Sequence, residues 1–261
     1  MMHRLLIGLT CLAIAAGAVA AQPCPGDLNG DGEATIDEII AGIGSALEGC
    51  PAPAPRFTDN HDGTIGDART GLNWEKKVAG DRAENPADPH VVDTRYPWAG
   101  TCADAPFKLC QPTAAAAAAC QAQAGPATPG CRECGDGDGA CEPDFGTETA
   151  WSWLVALNQA RFAGHDDWRL PTVEELQGIL EFGAAVGPAV DPALHAPTCG
   201  ADCVDLAAPA CSCNPTAGGT WSVTLYAREP NKVWSVYTGS GHSVDEPSTA
   251  YETVRAVRGR S

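Results

Sequence analysis

Six oxygen-bearing residues recur at short intervals near the start of the chain: Asp27, Asn29, Asp31, Glu33, Thr35 and Glu38. Their spacing fits the pattern D-x-[DN]-x-[DN]-G-x5-E at every specified position, with Gly32 where the chain must turn sharply. Such a loop suits calcium, a hard cation that takes about six to eight oxygens. Asp27, Asn29 and Asp31 offer side-chain oxygens, Glu33 its backbone carbonyl, Thr35 a direct or water-mediated contact, and Glu38 a bidentate carboxylate.

Other reactive constellations are sparse. A serine hydrolase of the nucleophile-elbow type needs G-x-S-x-G, which does not occur, and there is no H-E-x-x-H. His61, His90, His165 and His195 are isolated, and His242, between Ser240 and Ser243, reads as a loop residue. Paired carboxylates carry no information in so acidic a chain. The expectation is that the protein is not an enzyme.

The loop must be held by flanking elements. Ile36, Ile39, Ile40, Ile43 and Leu47 fall at helical spacing and predict an exit helix. No entering helix precedes Asp27, because residues 1–21 read as a secretory signal. Arg4 gives the positive end, an apolar run follows from Leu5 to Ala16, and Ala18-Val-Ala20 supplies small residues for cleavage. Cys11 and Cys24 lack the surroundings of a lipid-attachment site, so a secreted or cell-surface product without a membrane span is expected. The loop with its exit helix resembles one dockerin repeat, or half of an EF-hand pair. Cys24 and Cys50 bracket this module, residues 22–50, and are expected to bridge. Disulfide and calcium together would then stabilise a unit too small for its own core.

Of the 13 cysteines, twelve remain once Cys11 is removed with the signal: Cys24, Cys50, Cys102, Cys110, Cys120, Cys131, Cys134, Cys141, Cys199, Cys203, Cys211 and Cys213. An even count in an oxidising compartment predicts disulfides rather than zinc, although their connectivity is not readable. The 16 basic residues less Arg4 leave 15 against 33 acidic ones, which makes nucleic acid a poor partner.

Pro51-Ala-Pro-Ala-Pro55 reads as a semi-rigid spacer, residues 51–55, ahead of a main domain over residues 56–261. Two cysteine-rich stretches, at about 79–147 and 197–219, read as insertions pinned to its surface, with bridges between the two left open. The first contains six consecutive alanines, Ala114 to Ala119, a composition that builds little core. Trp151, Leu154, Val155 and Phe162 predict an amphipathic helix from near Glu148 to Gly164. Thr172 and Glu175 form a capping box for a second helix, with Val173, Leu176, Ile179 and Leu180 facing inward. Alternating runs at Thr220 to Ala227, Lys232 to Thr238 and Tyr251 to Arg258 predict strands, giving an α+β domain with two helices and antiparallel strands.

Four blocks in order carry a resemblance: RFTDNHDGTIGDARTGLNWEK at residues 56–76, AGHDDWRLPTVEEL at 163–176, TWS at 220–222 and VRAVRG at 254–259. They resemble the Lcl C-terminal domain family, also called DUF1566. The resemblance implies a C-type-lectin-like α+β fold whose first and last strands pair, so that Phe57 to Trp74 partners Tyr251 to Arg258. It implies that Trp168, Trp221 and Trp234 are core residues. Arg169, Arg255 and Arg258 are expected to pair with acidic neighbours such as Glu174 or Glu175. The related fold also hosts formylglycine-type oxidase chemistry on reactive cysteines, but the cysteines here lie in the insertions and read as structural. Glu229-Pro-Asn231 is a triplet of the kind with which C-type lectins hold sugar through calcium.

The resemblance points to ligand binding at a cell surface. Few clustered Lys or Arg are present, so a neutral glycan or a protein is expected rather than a sulfated polysaccharide. The alternative is a calcium-stabilised structural component of an envelope or secreted assembly. Calcium added to EDTA-treated protein should release heat and protect the N-terminal module from protease. Neither response, in calorimetry and limited proteolysis, would refute the loop.

Overall fold

The computed structural model describes residues 54–80, 88–102, 105–135, 148–181, 189–196, 199–200, 203–209, 211–215 and 217–259, with 35–37, 39, 40 and 43 near the chain start. The chain divides into two compact units, Met1–Ala54 and Pro55–Ser261. In the first unit Ile36, Asp37, Ile39, Ile40 and Ile43 are helical, and the Ile39 N–H donates to the Thr35 carbonyl at 3.0 Å.

The second unit is a mixed α+β domain in which antiparallel sheets predominate. One sheet has the order β1 (Phe57–Asp59), β2 (Thr64–Asp67), β3 (Asn73–Glu75), β11 (Val257–Arg258), all antiparallel. A second has the order β4 (Arg95–Pro97), β10 (Tyr251–Thr253), β7 (Thr220–Leu225), β8 (Lys232–Tyr237), β9 (His242–Pro247). Only β10 and β7 run parallel there. A hairpin of β5 (Gly100–Cys102) and β6 (Ala105–Cys110) stands apart. The first strand does not pair with the last; β11 pairs with β3, Val257 opposite Trp74, inside the Phe57 to Trp74 stretch expected to supply its partner.

The run from Tyr251 to Arg258 is not one strand. Tyr251–Thr253 belongs to the larger sheet and Val257–Arg258 to the smaller, and the link Val254, Arg255 and Ala256 passes between them fully buried. Alternation looks the same on both sides of such a crossing, so the pattern could not reveal it.

The described residues of the domain also form three α-helices: α1 (Ala114–Ala124), α2 (Ala150–Gln159) and α3 (Val173–Gly178). The third is capped as expected, with Thr172 accepting from the Glu175 N–H at 3.2 Å and Glu175 from the Thr172 N–H at 2.8 Å. Val173, Leu176, Ile179 and Leu180 are all buried. The second starts on a capping box of Thr149 and Ser152 and stops at Gln159, before the expected Gly164. A 3-10 turn, Phe162–Gly164, follows it, with Arg161 and Ala163 at positive φ.

The alanine run opens α1, and this overturns the expectation that its composition builds little core. Alanine has the highest helix propensity, and Thr113 caps the first turn by accepting from the Ala116 N–H at 3.1 Å. Its small side chains let Ala116 and Cys120 sit fully buried beside Trp98, Trp151, Leu154 and Trp221. The first insertion thus contributes Tyr96, Trp98, Ala99, Ala116, Cys120 and Cys131 to the central core. Buried Gln111 fixes it there, its amide donating to the Trp98 and Gly130 carbonyls while its oxygen accepts from Thr149 at 2.7 Å. Trp168 and Trp221 are core residues as expected, and Trp234 is partly buried against the second cluster.

Disulfides join Cys110 to Cys134 and Cys120 to Cys131 in the first insertion, and Cys199 to Cys213 and Cys203 to Cys211 in the second. Each of these four bridges lies within one insertion. The two insertions also meet through apolar packing of Val91 and Val92 on Cys203, Cys211 and Cys213, with Val78 in the same cluster. Cys102 is also disulfide-bonded. Cys24, Cys50 and Cys141 lie outside the described residues.

Asp67, buried at the end of β2, accepts both Arg56 Nε at 2.9 Å and Arg56 Nη2 at 2.6 Å, together with the Thr70 hydroxyl. Burial pushes its pKa up, but these donors outweigh it and hold the carboxyl below its usual range. A depressed folded pKa stabilises above the unfolded value of about 4 and loses that stability as pH falls through the folded value. Asp67→Asn should cost about 2–3 kcal/mol at pH 7. Urea midpoints should show the gap between wild type and variant closing as pH falls below about 4.

Candidate functional site

Among the expected calcium ligands, Asp27, Asn29, Asp31, Glu33 and Glu38 lie outside the described residues. Thr35 is described, exposed and immediately before the helical residues. No group of three metal-ligating side chains occurs among the described residues.

The main domain holds a buried charged centre that the sequence reading missed. Glu75 ends β3 with no exposure, followed by Lys76 and Lys77, equally enclosed. Glu75 Oε1 meets Lys77 Nζ at 2.9 Å and His90 Nδ1 at 2.8 Å, and Oε2 accepts the Ala256 N–H at 2.9 Å. Lys77 also donates to the Pro89 carbonyl and lies 4.5 Å from the Trp153 ring centroid. Lys76 turns to Asp59 at 2.7 Å and the Ala208 carbonyl at 2.9 Å. Burial drives the Glu75 pKa up, yet Lys77, His90 and the Ala256 N–H overcome it and keep the carboxylate charged. Burial pulls the Lys77 pKa down, opposed mainly by Glu75.

Arg255 corrects another expectation. It forms no ion pair with Glu174 or Glu175 but is 2% exposed, and its Nη2 donates to the Cys213 carbonyl. Arg169 does pair with Glu175, through two contacts of 2.6 and 2.7 Å, and Arg258 pairs with Asp167 at 2.8 Å. His90 of the first insertion and the Ala208 carbonyl of the second both close on the Glu75-Lys-Lys77 run.

His242 also departs from its reading as a loop residue. It opens β9, stacks on Tyr237 at 4.8 Å and has Nδ1 2.7 Å from Ser240 Oγ. The pair is exposed, and the two residues border a tight turn.

A cleft of about 470 Å³ runs along the first insertion. Leu109, Pro126 and Pro129 give it apolar walls, and Thr128, Arg132 and Asn231 bring polar groups. Arg132 Nε reaches the Leu109 carbonyl at 3.4 Å, and no carboxylate pairs with its guanidinium among the described residues. Both walls are staked by disulfides, since β6 ends at Cys110 and the 126–132 loop runs into Cys131. Asn231 is the last residue of the Glu229-Pro-Asn231 triplet. Glu229 itself contacts Lys232 at 3.4 Å.

The family model described as the Lcl C-terminal domain matches residues 63–258. No curated protein matches the chain, and no solved structure does.

Removing the Glu75 charge while keeping its shape leaves the Lys77 ammonium buried without its carboxylate. Glu75→Gln should lower unfolding free energy by about 3–5 kcal/mol, measured by denaturant titration with calcium present. A loss below about 1 kcal/mol would show that the centre is solvated and not a constraint on the fold.

Proposed function

The chain belongs to the Lcl C-terminal domain family, and on that footing we propose that it is an exported, calcium-binding protein whose main domain binds a ligand without catalysing a reaction. The observation that carries this reading is the cleft at Leu109, Thr128, Arg132 and Asn231. Its walls are fixed by Cys110–Cys134 and Cys120–Cys131, so little ordering is lost on binding. Apolar walls with a few fixed donors and acceptors are the general form of a small-ligand site.

A glycan fits this cleft, because hydroxyl-rich ligands match a guanidinium, an amide and a threonine hydroxyl over apolar surface. The excess of acidic residues over the whole chain argues against polyanions, so a neutral sugar or a protein loop bearing polar groups is preferred. The C-type-lectin-like fold implied by the family supports adhesion at a cell surface. The loop Asp27, Asn29, Asp31, Glu33, Thr35 and Glu38 supplies calcium as a structural ion that stiffens the N-terminal module.

One observation favours the second reading, a component of an envelope or secreted assembly. Ile36, Ile39, Ile40 and Ile43 form an exposed apolar stripe on the helix of the first unit. Glycan-array binding by calcium-loaded protein separates the two. Saturable binding that falls about tenfold in both Arg132→Ala and Asn231→Ala supports the cleft. Retention only by the protein's own envelope fraction, unchanged in these variants, would sink it in favour of assembly.

A further inference from the structure

The two bridges of the second insertion lie against each other. Cys199 is joined to Cys213 and Cys203 to Cys211, yet Cys213 Sγ also stands 3.6 Å from Cys203 Sγ, a sulfur of the other bridge. Cys203, Cys211 and Cys213 are buried, at 2%, 4% and 0% exposure. Cys199 alone of the four is only half-buried, and it lines a separate cleft of about 260 Å³ together with Gly80, Asp93 and His195. A thiol arriving from solvent therefore meets this pair of bridges at Cys199.

The surroundings of Cys213 suit a leaving thiolate. Arg255 is buried, its Nη2 donates to the Cys213 carbonyl, and its Nη1 has no partner among the described residues. Glu75, whose charge acts on Arg255, has its own oxygens engaged by Lys77, His90 and the Ala256 N–H. A cation beside a cysteine favours its thiolate. A buried guanidinium that bonds no carboxylate is stabilised by that anion in return.

We infer that the second insertion is a thiol-exchange site, in which a small external thiol attacks Cys199 and Cys213 hands the exchange on to the Cys203–Cys211 bridge. In the first step the incoming thiolate bonds to Cys199 Sγ, the Cys199–Cys213 bond breaks, and its electron pair leaves on Cys213. In the second the Cys213 thiolate bonds to Cys203 Sγ, and the pair leaves on Cys211, which takes up the proton that the external thiol gave to solvent. Two disulfides are present before and two after, so no oxidant is consumed. Cys203 stays tied to the same short segment, since Cys211 and Cys213 are separated by Ser212 alone, whereas residue 199 in the cleft wall is released from it. The acidic chain, with Asp93 on the cleft, favours a cationic thiol. The site shares no residue with the Arg132 cleft and does not depend on the activity proposed there.

The test treats the native, calcium-loaded full chain with cysteamine and quenches the reaction in acid, where thiolates are scarce. Mixed disulfides, bridges and maleimide-labelled thiols are then mapped by tandem mass spectrometry that separates Cys211 from Cys213. The expected product carries cysteamine on Cys199, a Cys203–Cys213 bridge, and maleimide on Cys211 in about tenfold excess over Cys213, because the neighbouring bridge captures the released thiolate. Cysteamine on Cys199 with the label on Cys213 and the Cys203–Cys211 bridge intact overturns the relay. Loss of both bridges together overturns it as well, and so does the absence of any reaction at Cys199 while the protein stays folded.

Discussion

A carboxylate without solvent holds the main domain together. Glu75 joins three separate parts of the chain: Lys77 beside it, His90 in the first insertion, and the Ala256 N–H in the link between the two sheets. An ion of this kind is tolerated inside a protein only when its lone pairs are engaged, so each partner is constrained by the others. The crossing of the chain from β10 to β11 passes over this point. Moving it would strand a charge as well as break a strand pair.

Around that centre the insertions behave as structure. Trp98 and Ala116 pack with Trp151 and Trp221, and Val78, Val91 and Val92 pack with the cysteines of the second insertion. Each insertion is cross-linked to itself, which limits its freedom in the unfolded chain and fixes its shape in the folded one. Rigid, disulfide-bonded loops over a shared core are a fitting support for recognition, because binding then costs little conformational entropy. Both clefts are lined in part by these loops.

Helix α3 could be read from sequence because its signals are local: a capping threonine, a glutamate three residues on and apolar residues at helical spacing. Strands β7 and β8 were legible for the same reason, through alternation bounded by turn residues. Helix α1 was missed because a run of alanines has no amphipathic pattern, and its burial depends on the tryptophans that close over it. The four bridges described could not be paired by counting, since spacing does not reveal which sulfurs the fold brings within bonding distance.

The sequence by itself determined the α+β class, the Lcl C-terminal domain resemblance, the capped helix, the partnership of Phe57–Trp74 with the end of the chain and the pattern of the Asp27 to Glu38 loop. All of these rest on neighbours within a few residues or on ordered blocks. Only the tertiary structure decided that Glu75, Lys77 and Arg255 are interior, that Arg255 reaches the Cys213 carbonyl, and that the alanine run belongs to the core. Burial depends on what distant segments cover, and a charged side chain carries no local mark of whether water or another ion will satisfy it.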